Sequence, residues 1–143
     1  MQLVDGNIKF IACGASNYRT NIDWIGWNDY VLEHMGEQGA LAWDGEIFAY
    51  APAYKVPVVD TTGAGDLFHA GFAYGLLCGW DLQHTLEFGC AAAGLNCKAH
   101  GARGGIKPVR TIERLRAGRK CYPPQYSLAA LGRASERAHK ARA

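Results

Sequence analysis

Proline and methionine are scarce, at five and two residues, and acidic and basic side chains nearly cancel to a formal net charge of +2. So small a net charge says little about partners. No apolar run is long and unbroken enough to span a bilayer, and the longest, around Leu67–Cys78, falls well short. No basic start leading into an apolar run marks a signal peptide. The cysteines Cys13, Cys78, Cys90, Cys97 and Cys121 form no C-x-x-C pair, and none stands at zinc-site spacing from a histidine. Their number is odd, and three lie in apolar helical stretches, where a free thiol acts as a small buried hydrophobe. A reducing, cytoplasmic setting is therefore expected. Two nucleotide motifs are also missing. No G-x-x-x-x-G-K-[ST] loop occurs, and Phe68 stands where a dinucleotide fingerprint would need its third glycine.

Glycine, in contrast, is abundant, with 18 in 143 residues, which points to tight turns and close backbone approach. The length suits one domain or an incomplete piece of a larger one. Charge is unevenly spread. Residues 110–143 hold nine of the fifteen Lys/Arg and two acids, so this segment is +7 and the remainder −5. A solvated helix or frayed end is the simpler reading of such a tail, and nucleic acid is not an expected partner.

The chain divides into an unassigned segment 1–30, a central region 31–116 and a basic tail 117–143. Ile8–Cys13 suggests a strand ending at Gly14, and Trp24, Ile25 and Trp27 form an apolar cluster. Tyr30–Met35 fits a short helix or strand. Gly39–Trp43 and Glu46–Tyr50 read as a β-hairpin about Asp44-Gly45. Phe68, Phe72 and Leu76 recur at helical spacing, and Gly79 is a plausible helix end. Gly71 and Gly75 in that helix suggest close packing against a neighbour. Asp81 is the expected N-cap of a second helix with Leu82, Leu86, Cys90, Ala93 and Cys97 on one face. Gly101, Gly104 and Gly105 suggest a loop, Thr111 the cap of a short helix, and Ser127–Ala143 a last helix. His69, His84 and His100 have no carboxylate or cysteine partner in the sequence and read as surface or core histidines.

Between Val59 and the first helix lies Asp60-Thr61-Thr62-Gly63-Ala64-Gly65-Asp66. Gly63 and Gly65 let the backbone turn and let a ligand come close. A helix starting here would aim free N–H groups outward, a ready site for phosphate. Asp66 would then stand at the helix start, where a carboxylate can take a proton from an attacking alcohol. From spacing alone the segment reads equally as a functional helix start and as a structural turn with Asp66 as a capping acid. Asp60 likewise reads as a cation ligand or as a strand-end acid binding backbone amides.

The run Val58-Val59-Asp60-Thr61-Thr62-Gly63-Ala64-Gly65-Asp66-Leu67-Phe68 resembles the C-terminal signature of the PfkB carbohydrate kinases, the ribokinase-like family, whose pattern is D-T-x-G-A-G-D-x-F. His69-Ala70-Gly71-Phe72, the small residues Ala91-Ala92-Ala93 and the turn Gly36-Glu37-Gln38-Gly39-Ala40 are also similar, so the likeness covers roughly residues 31–112. It implies an α/β, three-layer ribokinase-like fold, truncated to its C-terminal portion, with a β-hairpin and nucleotide-side helices. It implies ATP-dependent phosphoryl transfer to a sugar hydroxyl, with Asp66 as catalytic base and the amides of Gly63, Ala64 and Gly65 as the anion hole. Gly36 and Gly39 match a turn near the nucleotide phosphates. The stretch Cys90–Gly101, with Asn96 and Gly101, matches the helix and loop beside adenine. Asp60 and Thr62 match positions tied in many members to a monovalent cation such as K⁺, while Mg²⁺ would come with ATP.

The family's N-terminal half, with its Gly-Gly signature and N-x-x-E motif, has no counterpart in this sequence. Glu33-His34-Met35 and Gly89-Cys90 also depart from the residues usual at those places. An exposed sheet edge is therefore expected, covered by a second copy or by a complementing N-terminal half. Two other readings stand beside the sugar kinase: a nucleoside kinase of the same fold, and a non-catalytic interacting fragment.

Overall fold

The computed structural model describes residues 11–14, 30–34, 36–44, 46–124 and 140, with backbone alone for the first two stretches. The expected cluster at Trp24–Trp27 and, apart from Lys140, the helix over Ser127–Ala143 lie outside these residues.

Four strands form one sheet in the order β1-β2-β3-β4: Ile11–Gly14, Tyr30–His34, Ala40–Trp43 and Phe48–Ala51. β1 and β2 run parallel, whereas β3 and β4 are antiparallel additions. Tyr30–His34 is thus a strand, the second of the two states its sequence allowed. The hairpin is shorter than expected at both starts. Gly39 adopts φ 98° in a tight turn and donates its N–H to Gly36 O, so β3 begins one residue later. The Asp44 carboxylate accepts the amides of Glu46 and Ile47 at 2.9 Å each, which keeps both out of the return strand.

Alternation in the hairpin decides what packs where. Ala40 pairs with Ala51 and Ala42 with Ala49, and these small side chains belong to the main core. Leu41 pairs with Tyr50 and Trp43 with Phe48 in the alternate register positions, the latter pair with ring centroids 6.2 Å apart.

The helices follow: α1 (Ala64–Leu77), α2 (Leu82–Asn96), the single turn α3 (Gly101–Gly104) and α4 (Val109–Gly118). α1 ends as expected at Gly79, whose φ of 71° lets its N–H reach Leu76 O while Trp80 N–H reaches Gly75 O. Asp81 caps α2 by accepting the His84 amide at 2.9 Å. α4 starts two residues before the expected cap at Thr111. Pro108 precedes its first turn with an extended backbone, and its carbonyl accepts the Thr111 amide. α2 is the central element, touching α1, α4, β3 and β4.

Phe68 and Phe72 of α1 are fully enclosed, as are Leu86 and Phe88 of α2. Each such side chain contributes roughly 1.5–3 kcal/mol by leaving water. The two helices approach so closely because glycines meet. A Cβ on Gly71 would lie 3.0 Å from Gly89 Cα, and one on Gly75 would lie 2.8 Å from the Thr85 side chain. On the far side of α2, His84 stacks flat on Trp80 and bonds Glu113 of α4 at 2.9 Å, while Arg116 bonds both Glu113 and Glu87. His84 thus has a carboxylate partner after all, 29 residues away in sequence and invisible there.

The stretch from Val56 to Asp60 lies outside any strand, bends at Val59 and has no ladder partner among the described residues. Val58 and Val59 are 60% and 51% exposed, and Leu77 is 80% exposed.

Gly71→Val should cost about 1–3 kcal/mol, because the added methyls must push α1 off α2. Gly118→Ala, where a Cβ meets nothing within 4 Å, serves as the control and should be neutral or slightly stabilising. Urea unfolding of the two variants compares them, and equal midpoints would refute the close-packing account.

Candidate phosphate-binding loop and pocket

The loop after Val59 is held from two sides. Asp60 Oδ1 accepts the Thr62 amide at 2.9 Å and the Thr62 hydroxyl at 2.7 Å, and Oδ2 accepts the Gly101 amide at 2.8 Å. These hydrogen bonds, Gly101 first, hold its carboxyl down at about 2, well below the usual carboxylate range. On the other side Asn96, fully buried on α2, donates from Nδ2 to Thr62 O at 2.7 Å. The Cys97 carbonyl accepts the amides of Val59 and Asp60. The end of α2 thereby fixes both the approach to the loop and the loop itself.

Gly63 completes the turn at φ 77°, with its backbone against α3: a Cβ there would come within 2.6 Å of Ala102 Cβ. The chain then enters α1. Ala64 N–H is bonded to Thr61 O and Leu67 N–H to Gly63 O. Among the described residues no hydrogen bond ends on the amides of Gly63, Gly65 or Asp66. Among the described residues the free donors of this segment are therefore Gly63, Gly65 and Asp66, while the Ala64 N–H closes the turn on Thr61 O. Gly65 differs from Gly63: a Cβ on it would meet nothing within 4 Å. Asp66, in the first turn of α1, is exposed.

This helix start opens on a cavity of about 360 Å³. One wall is Thr61, Ala64 and Gly65, and a second is the turn Gly36, Glu37 and Gly39. Cys90, Ala93, Gly94 and Cys97 of α2 form the floor, and Val56 and Val58 face them from the stretch before the loop. Tyr54 and Tyr122 close the far end. The Tyr122 side comes from beyond α4, through an antiparallel pairing in which Lys55 N–H bonds Lys120 O and Tyr122 N–H bonds Ala53 O. Burial pushes the Tyr54 hydroxyl and the Cys90 thiol far up, and burial with the nearby Asp60 charge raises Cys97. These three groups stay neutral at pH 7 and add no negative charge to the cavity.

The expected site residues divide accordingly. Gly36, Gly39, Ala64 and Gly65 line the cavity, and Gly63 and Asp66 flank them in the chain. Asn96 and Gly101 do not line it: Asn96 is enclosed beneath the loop, and the Gly101 amide is directed to Asp60. Both hold the loop rather than touch a ligand in the cavity. Asp60 and Thr62 do come together, yet both carboxylate oxygens already accept protein donors, so the amide-binding reading of Asp60 is the one this geometry supports. Among the described residues no group of three His, Cys, Asp or Glu side chains gathers as a metal site. Sequence reasoning missed Tyr54 and Tyr122. No local pattern marks them, since the pairing that joins them spans nearly seventy residues.

The model for "pfkB family carbohydrate kinase" matches residues 26–109. Ribokinase of Lactococcus lactis subsp. lactis (strain IL1403) is 32% identical over 87 residues, which are 61% of this chain and 29% of the relative. Fructoselysine 6-kinase of Escherichia coli (strain K12) is 42% identical over 72 residues, 50% of this chain and 28% of the relative. The structure of Arabidopsis thaliana ribokinase complexed with ribose and ATP superposes with a TM-score of 0.58 at 30% identity, covering 69% of this chain and 30% of the ribokinase. The chain thus spans less than a third of the length of the curated relatives it matches.

Two variants separate fold from site. Gly63→Ala should both destabilise the protein and disorder the loop, since the new methyl collides with Ala102. Gly65→Ala should leave the melting temperature unchanged or higher, while weakening binding of a triphosphate at the helix start at least tenfold; calorimetry with the melting curve reads both. For Asp60 the folded value is depressed, so its stabilising contribution is full above pH 4 and is lost as pH falls through about 2. Carboxyl NMR should place its midpoint near 2, and a midpoint above 3.5 would overturn the three-donor clamp.

Proposed function

The chain belongs to the pfkB family of carbohydrate kinases, and on that premise we propose that it is the nucleotide-side part of an ATP-dependent kinase acting on a sugar hydroxyl. The observation that carries this reading is the start of α1, where the unbonded amides of Gly63, Gly65 and Asp66 adjoin a cavity large enough for a nucleotide.

The residues divide the work by position. The Gly63, Gly65 and Asp66 amides donate to the oxygens of the transferred phosphoryl group, where negative charge gathers during transfer. They are fixed beforehand by the Asp60 and Asn96 clamps, so no reorganisation is needed at the moment of reaction. Asp66 accepts the proton of the attacking alcohol, and its exposure leaves that face open to an acceptor. The space over Gly65 admits the phosphate chain, and the cavity behind it receives the base and ribose. With no protein cluster for a metal among the described residues, Mg²⁺ would be held largely by the phosphates, and its chemistry is neutralisation of their charge.

Which acceptor is used, sugar or nucleoside, rests on contacts that a second polypeptide surface would supply. The exposed Val58 and Val59 are where a complementing N-terminal part or a second copy would pack. The same short span and exposed valines favour one other reading, a non-catalytic fragment that keeps the fold as an interaction module.

Calorimetric titration of the full chain with Mg·ATP in K⁺ buffer tests the proposal. Saturable binding is expected in the wild type and in Asp66→Asn, since the substitution removes a charge but no amide. Phosphoryl transfer in a complemented enzyme should fall about 10²–10⁴-fold in Asp66→Asn, the usual worth of a general base. No binding of ATP by demonstrably folded protein would refute the nucleotide-side reading and leave the interaction module.

A further inference from the structure

Resting on the phosphate reading of the loop, we infer that Asn96 is a positioning residue of the site: its side chain sets which way the Thr62–Gly63 peptide faces, and so presents the Gly63 N–H, rather than a carbonyl, to a phosphoryl group. Residues Thr61 to Ala64 form a turn closed by the Ala64 N–H on Thr61 O at 3.1 Å. Gly63, its third residue, has φ 77° and ψ 3°, and Thr62 is not at positive φ. These are the angles of a type II turn. A type I turn closes the same hydrogen bond with its central peptide turned over, so the Thr62–Gly63 peptide has two ways to face. Glycine in the third place suits type II but is free to adopt either form. The Asp60 carboxylate does not decide between them, because it holds Thr62 through that residue's own N–H and hydroxyl, ahead of the central peptide.

A peptide unit is planar and trans, so its C=O and N–H point in opposite directions. Whatever grips Thr62 O therefore aims the Gly63 N–H. That grip is Asn96 Nδ2, 2.7 Å away. Asn96 is fully buried at the end of α2, with the Gly105 backbone so close against it that no Cβ fits there. The chemistry fixes which end of the amide faces the loop, since the reverse placement would set Oδ1 against Thr62 O, acceptor on acceptor. As placed, Oδ1 is buried and meets no donor among the described residues. A buried acceptor without a partner is unfavourable, and an apolar side chain of similar size would avoid it. What the amide adds in return is the bond to Thr62 O, and the result of that bond is the facing of the Gly63 N–H. The type I form would put Thr62 O where the Gly63 N–H now points. A carbonyl oxygen there would repel the phosphate oxygens that the Gly65 and Asp66 amides attract.

Titration of the full chain with inorganic tripolyphosphate, by calorimetry and by amide proton–nitrogen NMR, tests this. In the wild type the Gly63, Gly65 and Asp66 amide resonances should all shift on saturation. Asn96→Leu should bind tripolyphosphate about ten- to a hundredfold more weakly, the usual worth of a hydrogen bond to a charged group. At saturation in that variant the Gly63 shift should be lost while those of Gly65 and Asp66 persist, which a merely structural role for Asn96 would not produce. Wild-type affinity in folded Asn96→Leu, or loss of all three shifts together, would overturn the inference and leave the phosphate reading standing. A wild-type Gly63 amide that stays in place while Gly65 and Asp66 move would do the same, and that measurement decides the matter even if the variant does not fold. Failure of tripolyphosphate to bind folded wild-type protein would overturn both.

Discussion

The Asp60 carboxylate sets the geometry on which the rest of the site depends. Three donors from two separate loops converge on it: the amide and hydroxyl of Thr62, and the amide of Gly101. Charge-assisted bonds of this kind are stronger than neutral ones, and they hold the carboxyl ionised to about pH 2. The result is a fixed distance between the loop before α1 and the turn that begins α3. Gly63 is compressed into that gap against Ala102, which is why only glycine fits there. Once Gly63 is set at positive φ, the first turn of α1 has one orientation, and its free amides have one direction.

The same economy runs through α2. Its Asn96 side chain holds Thr62 O, its Cys97 carbonyl holds two amides of the stretch before the loop, and its Cys90–Cys97 face floors the cavity. Its other faces meet the alanine pairs of the hairpin and the glycines of α1. Small residues recur along α2 because it has neighbours on nearly every side. Phe88, enclosed at 2% exposure, and the His84–Glu113 and Arg116 contacts fill the directions that remain. Burial would raise Glu113, but hydrogen bonds from His84 and Arg116 and the guanidinium charge outweigh it and hold the carboxyl below its ordinary range. α4 is fastened to α2 by charge as well as by Ile112.

Val56–Asp60 leads directly into the loop without forming a strand, held through the Val59 and Asp60 amides on Cys97 O, and two of its valines are exposed. The chain spans less than a third of the length of the two curated relatives named above.

The sequence by itself determined the loop and most of the elements. Local rules sufficed wherever a short segment carries its own constraint: the glycine turn from Gly63 to Gly65, the Asp81 cap, the Gly79 helix end, and the Phe68–Phe72 stripe. They failed by a residue or two where a side chain captured a backbone amide, as Asp44 does in the hairpin, or where a proline set the start, as Pro108 does for α4. Tertiary structure alone decided the roles of Asn96, Gly101, Tyr54, Tyr122 and His84. Each acts on a partner more than twenty-five residues away, and the direction of a side chain toward such a partner is fixed by how helices and strands pack, not by its neighbours in the chain. The amide of Ala64 shows the same limit at short range: the resemblance implies a donor to ligand, whereas here its N–H bonds Thr61 O.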